Sequence, residues 1–293
     1  MMSPRSAFQA LAALLCAGVL AFASAGCGSS GSPIGSATPV AQAATATFHS
    51  GGSQIAMTVS LQMSGLPMPL NVTGGGDFNM AQREGQLDFR LSGPPAGLPT
   101  QLSNATFTEL FKDNVLYMTS PLLEGKLPNG ARWMKLDLAR FAASEGLNLQ
   151  SLTSGQSNPT DFLQYLRGAN SVHAAGRDLV RGTPTTRYDG TIDLAAAAER
   201  AAPADRAALR KALEELGQKT GLRSIPFSAW IDDRHLVRRM KFAFQISASG
   251  QSASAEVEFE LFGFGPTPTV NPPAASETYD ATSLSLQGLS AGG

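Results

Sequence analysis

The sequence predicts an α+β domain: an antiparallel β-sheet with one apolar face, partly covered by helices. Three observations carry this. Ile55, Met57, Val59, Leu61 and Met63 alternate with small or polar neighbours, the period of two that belongs to a strand burying one side. Residues 236–247 and 255–262 repeat that alternation as a hairpin, with aromatic residues on one side and Glu256, Glu258 and Glu260 on the other. Two segments change to helical spacing, over 158–168 and 203–217.

The totals narrow the function classes. A chain of 293 residues with 43% hydrophobic residues is long enough for a real core. A net charge of -1 gives no reason to expect nucleic acid as a partner. The charged fraction of 15% is low, which leans toward apolar partners.

Residues 1–26 read as a secretory signal. Arg5 supplies a short positive region, and residues 7–23 form an apolar stretch containing Leu11, Leu14, Leu15, Val19 and Leu20. That stretch is too short and too Ala-rich for a comfortable membrane span. Ser24, Ala25 and Gly26 lead directly to Cys27, the arrangement of a bacterial lipobox, in which the cysteine is acylated and becomes the mature N-terminus. The usual Leu or Val three residues before the cysteine is Ser24 here. Cys16 leaves with the signal, so a mature chain lipidated at Cys27 has neither free thiol nor disulfide in its oxidising compartment. Acyl chains, at about 0.8 kcal/mol per buried CH₂, hold such a protein on the extracytoplasmic face of the cell membrane. The alternative is an ordinary cleaved signal with Cys27 as an incidental thiol. Gly26, Gly28 and Gly31 spell G-x-G-x-x-G, but no strand or helix flanks them, so the dinucleotide reading fails.

Residues 27–45 are rich in Gly, Ser, Pro, Ala and Thr and read as a flexible tether, with the folded domain expected over 46–270. After the strand at 55–63 comes a Gly-rich turn at 74–76, then a strand carrying Leu87, Phe89 and Leu91. Residues 106–111 and 115–118 flank Lys112, Asp113 and Asn114 as a hairpin. Further strands are expected at 133–138, 172–175 and 185–192. In the last hairpin a turn centred on Gly250 and Gln251 sets Phe242 opposite Phe259 and Lys241 opposite Glu260.

The first helix opens with Asn158 and Pro159 and presents Phe162, Leu163 and Leu166. The second carries Ala208, Leu209, Ala212, Leu213 and Leu216 on one side, with Gly217 as its expected cap and Arg210, Lys211 and Glu214 on a solvated face. Residues 271–293 are rich in Pro, Ser and Gly and are expected to be a disordered tail. No linker divides 46–270, so one domain, and a monomer, is expected.

The search for catalytic chemistry finds little. The histidines are His49, His173 and His235, and no nucleophile elbow, zinc-protease helix, phosphate loop or cysteine pair occurs. Asp232 and Asp233 read as a turn before Leu236 rather than as paired catalytic carboxylates. An enzyme is not expected, and neither a cofactor nor a metal is called for. Binding fits better: Met57, Met63, Met68 and Met80 crowd the opening of the domain, and methionine lines variable apolar surfaces as readily as it fills a core.

Three stretches, "RWMKLDL" (132–138), "TTRYDGTIDL" (185–194) with the helix after it, and "FSAWIDDRHLVRRMKFAF" (227–244), resemble in type and order the LolA-like lipoproteins of actinobacteria, of the LppX and LprG type. The resemblance spans about residues 46–280 and includes a Pro-rich exit, "PTVNPPAASETYD". It implies an antiparallel half-barrel of about ten or eleven strands with helices against its concave face and an apolar cavity between. It also implies the function: carriage of an acylated lipid or glycolipid through the cell envelope, with a membrane transporter among the expected partners.

On that reading Met57, Val59, Leu61, Leu87, Phe89, Phe242, Phe244, Val257 and Phe259 are the candidate cavity lining. Leu209, Leu213 and Leu216 of the long helix cover it, and Cys27 is the lipidation site. Two other readings stay open. A tethered structural or protein-binding module would have the same sheet packed solid. A surface hydrolase would need a serine, a histidine and carboxylates converging in a cleft, with His173 the first residue to inspect.

Overall fold

The computed structural model of the chain describes residues 39–63, 68–79, 82, 84–92, 104–140, 169–199, 207, 210–211, 214, 217–218, 221–248, 251–265 and 269–282. Cys27, the signal, the helix expected at 158–168, and Leu209, Leu213 and Leu216 lie outside these residues.

Twelve strands form one sheet: β1 (Gly52–Met63), β2 (Leu70–Asn79), β3 (Glu84–Ser92), β4 (Thr106–Lys112), β5 (Val115–Thr119), β6 (Trp133–Asp137), β7 (Ala169–Val180), β8 (Thr183–Asp193), β9 (Ser224–Asp232), β10 (Val237–Ala248), β11 (Gln251–Gly265) and β12 (Thr278–Asp280). Their spatial order is β12-β6-β5-β4-β3-β2-β1-β11-β10-β9-β8-β7. β1 to β6 meander outward from the middle, and β7 to β11 start at the far edge and return until β11 pairs with β1. β12 pairs in parallel with β6, and every other pairing is antiparallel. The sheet is open, with β12 at one edge and β7 at the other. This is the α+β, open antiparallel architecture that the sequence predicts, and it is consistent with a LolA-like half-barrel.

Two of the twelve strands fall where the sequence predicts something else. Gly74, Gly75 and Gly76 are not a turn but the middle of β2. A Cβ on Gly74 would lie 2.2 Å from the Asp88 carbonyl oxygen and 2.5 Å from Cδ1 of Phe89, so the bare backbone makes room for the Phe89 ring. A turn signature and a close approach use the same residue, and the pattern of glycines does not separate them. β12 lies in the expected disordered tail. Asp280 takes Lys135 at 3.4 Å and Arg140 at 3.1 Å, and the Asp137 N–H donates to Thr282 Oγ1 at 3.0 Å. Val270, Ala281 and Thr282 are buried.

A helix, α1 (Pro39–Phe48), replaces the last residues of the expected tether. Val40, Ala43, Ala44 and Thr47 are buried on one side, the i, i+3, i+4, i+7 spacing of a helix on a core. α1 packs on β7, β9 and β10. A second short helix, α2 (Leu194–Glu199), follows β8. Ala207, Arg210, Lys211, Glu214, Gly217 and Gln218 are helical, with Arg210, Lys211 and Glu214 exposed as expected. Gly217 is therefore inside its helix. The left-handed residue is Gly221, φ 76°, whose N–H donates to the Gly217 carbonyl at 2.9 Å.

The β4–β5 hairpin turns at Asp113 and Asn114, both left-handed at φ 52° and 62°, between Lys112 and Val115. The β10–β11 hairpin differs from its expected register by two residues. Phe242 faces Val257 and Lys241 faces Glu258, because Ala248 pairs with Gln251 and the turn sits one residue earlier. A slip of two keeps every side chain on its face, so the apolar and charged sides are unchanged.

Candidate functional site

Strand register assembles the inner face in rows. One runs Phe227, Phe242, Val257, Val59, Val72 and Leu91 across β9, β10, β11, β1, β2 and β3. The next runs Ala229, Met240, Phe259, Met57, Gly74, Phe89 and Phe107. Phe244, Ala255 and Leu61 form a third, and Leu87 lies in a fourth with Gly76 and Ile55. All nine described residues of the expected lining therefore share one face.

Their burial is uneven in an informative way. Leu87, Phe89, Leu91, Phe107, Phe227 and Phe242, on the flanks, are buried. Met57, Val59 and Leu61 on β1, Val72 on β2, Phe244 on β10, and Val257 and Phe259 on β11 are only half-buried. A solid core buries its centre most completely. Here a half-open apolar strip runs over β10, β11, β1 and β2 toward one end of the face, while Ile55 and Leu261 close the other end of the two central strands.

The outer face is charged. Glu260 takes Arg239 and Arg181, the latter at 2.7 Å, and Lys241 reaches Glu256 at 2.7 Å. Burial pushes the Glu260 carboxyl up, but the hydrogen bonds from Arg239 and Arg181 outweigh it and hold the group below its ordinary range. Trp230 lies beneath Arg187 and Arg239, and its Nε1 donates to Asp178 at 3.1 Å. The Leu179 N–H and then Trp230 keep the Asp178 carboxyl low. A groove of about 770 Å³ opens among Ser60, Gln62, Arg223, Pro226, Ala243, Gln245 and Glu256. Most of its lining comes from the outer side of the sheet, and Phe244 and Ala255 of the inner face reach it as well.

The arrangement bears on catalysis through His173, Asp189 and Ser228, which adjoin across β7, β8 and β9. Asp189 stands between the other two. It accepts the Ser228 hydroxyl at 2.7 Å and both Arg187 nitrogens at 2.9 and 2.6 Å, and the Arg187 hydrogen bonds keep its carboxyl low. A hydrolase needs the imidazole between serine and carboxylate. Exposed His173 has Nδ1 3.3 Å from the Ser171 carbonyl instead. Asp232 is structural: it accepts the N–H groups of Arg234 and Leu236 at 2.9 Å and Arg238 Nε at 2.6 Å, closing the turn that the sequence predicts. Among the described residues no group of three or more His, Cys, Asp or Glu is placed to hold a metal ion. None of their helices is long and apolar enough to cross a membrane.

Among the described inner-face residues of β3 to β6 outside the expected lining, Glu109 is the one that carries a charge-bearing group. Glu109 sits opposite Leu87 and Met118, and it is buried at 3% exposure. The signal is in the sequence: Phe107 and Phe111 occupy one phase of β4, and Glu109 takes the position of that phase between them.

The fold and its inner face define an open antiparallel sheet with an apolar side only partly closed. Among solved structures the chain is similar to LprF of Mycobacterium bovis, at 18% identity and a TM-score of 0.41, covering 84% of this chain and 100% of that one. It is also similar to the lipoprotein LppX of Mycobacterium tuberculosis, at 14% identity and a TM-score of 0.43, covering 80% and 96%. Likenesses at this level transfer no function. No protein-family model matches the chain, and no curated protein does.

Proposed function

We propose that this chain is a lipoprotein, anchored outside the cytoplasmic membrane through acylated Cys27, that binds and carries an acylated lipid or glycolipid within the cell envelope. The observation that supports the reading is the half-buried strip of Met57, Val59, Leu61, Val257 and Phe259 along the central strands. An apolar surface left part-open inside a domain is what a bound acyl chain would complete, at about 25 cal/mol per Å² removed from water. Leu209, Leu213 and Leu216 are assigned to its cover. The tether shortens to residues 27–38 and the binding domain becomes 39–282. Such a carrier performs no chemistry, so we read the chain as a binding protein and not an enzyme, with a membrane or a transporter as the recipient.

The test is to export residues 28–293 behind a signal without a lipobox, purify without detergent, and analyse an organic extract by mass spectrometry. Acylated lipid in near-stoichiometric amount is expected. A folded protein with an empty extract from its native host as well as from a surrogate would contradict the reading and favour a solid, protein-binding module.

A further inference from the structure

A single row of the inner face runs Leu261, Ile55, Gly76, Leu87, Glu109, Met118 and Met134 across seven strands. Glu109 is the one charged residue type in it. Its carboxyl is buried and Oε2 has no hydrogen-bond partner. Arg90 on β3, Lys112 on β4 and Lys135 on β6 lie in the opposite phase of their strands, on the other face, where Lys112 pairs with Glu84 at 3.0 Å and Lys135 with Asp280 at 3.4 Å. The described inner positions of β3 to β6 carry apolar residues or glycine around it. Leu or Met at this position would pack without the cost of an unsatisfied buried carboxyl. What the carboxyl adds is a hydrogen-bonding group in an otherwise apolar enclosure.

We propose that Glu109 is the polar anchor of the inner-face site, taking the free hydroxyl of an uncharged acylated lipid of the diacylglycerol type. This rests on the carrier reading above. Burial pushes the Glu109 carboxyl up to about 7, so about half of the molecules hold its proton at neutral pH, and in that form it both donates and accepts, as a hydroxyl requires. An anionic phosphate would find no cation on the described part of this face. The spacing suits a lipid: β4 is three strands from β1, about 14 Å at ordinary strand separation, and one acyl chain spans about 15 Å, half the hydrocarbon thickness of a bilayer. Leu87 and Phe89 stand between Glu109 and the strip, so a head group at Glu109 lays its chains across them toward Met57, Val59 and Phe259.

The test titrates the exported chain, residues 28–293, with a tail-labelled fluorescent 1,2-diacylglycerol and with its 3-O-acetyl derivative, which lacks the free hydroxyl. Wild type is expected to prefer the free hydroxyl about tenfold, the loss for one buried hydrogen bond. Glu109→Leu is expected to bind both alike while its melting temperature holds or rises. Glu109→Gln, which still donates and accepts, is expected to keep part of the preference. Wild type without preference, or Glu109→Leu with the preference intact, would overturn the proposal and leave the carrier reading standing. If wild type binds neither lipid and its extract is empty, both fall together.

Discussion

Thr47 Oγ1 accepts the N–H of Val237 at 2.8 Å, joining residues 190 apart in the chain. The bond answers a local need: the β9–β10 ladder shifts register between Val237 and Arg239, and Thr47 takes the N–H at the shift. Thr47 in turn donates to the Ala43 carbonyl at 2.7 Å, so both sides of its hydroxyl are used. α1 is thereby fixed to the sheet, and the folded domain includes it.

Thr47→Val removes that acceptor and leaves a buried N–H unpaired. A loss of about 1–3 kcal/mol in urea unfolding is expected, with Thr47→Ser recovering most of it. A loss under about 0.5 kcal/mol would mean that α1 is not docked as described.

Gly74→Val places a side chain on the Asp88 carbonyl oxygen and the Phe89 ring, backbone that cannot give way cheaply. The expected cost is about 1–3 kcal/mol from overpacking, read as a fall in melting temperature. A neutral outcome would show that β2 is not the glycine-lined strand that positions Phe89.

Asp232→Ala strips Arg238 of its partner where the two side chains are 14% and 3% exposed. Two turn N–H groups also lose their acceptor. About 3 kcal/mol or more of destabilisation is expected, because an uncompensated charge is left buried.

Glu109 also predicts the pH dependence of stability. Its folded-state carboxyl is raised from 4.5 to about 7, so between those pH values the folded chain holds a proton that the unfolded chain has released. Stability should therefore fall as pH rises through this window and level off above it, by up to about 3 kcal/mol. Glu109→Gln should flatten the fall. Asp178, Asp189, Glu260 and Asp280 are shifted down, so their contributions are present at neutral pH and are lost only in acid, outside the window.

What the sequence showed directly were elements whose local pattern and tertiary role agree. β1, the β4–β5 hairpin, and β10 with β11 alternate on a period of two because one face is apolar and the other carries mostly small, polar or charged residues. β2 was hidden because three glycines serve a close approach and look like a turn. α1 was hidden because an uncharged Ala- and Thr-rich stretch reads as tether unless Val40, Ala43, Ala44 and Thr47 are counted at helical spacing. β12 depends on Asp280 reaching Lys135 and Arg140, contacts from a distant part of the chain that a Pro-rich exit does not announce. The candidate lining shared a face in the fold because a two-residue register slip preserves sidedness, whereas the degree of burial, on which the proposed function turns, is a property of the assembled sheet alone.

The most direct test of the half-open inner face is Val59→Trp, measured for thermal stability and for lipid in the organic extract. Val59 lies between Val257 and Val72 at the middle of the strip. If the space above it is open and lipid-filled, the indole occupies it: lipid content should drop at least about twofold while the melting temperature is maintained. Unchanged lipid content with a steep loss of stability would mean that the centre is packed solid, and would contradict the account.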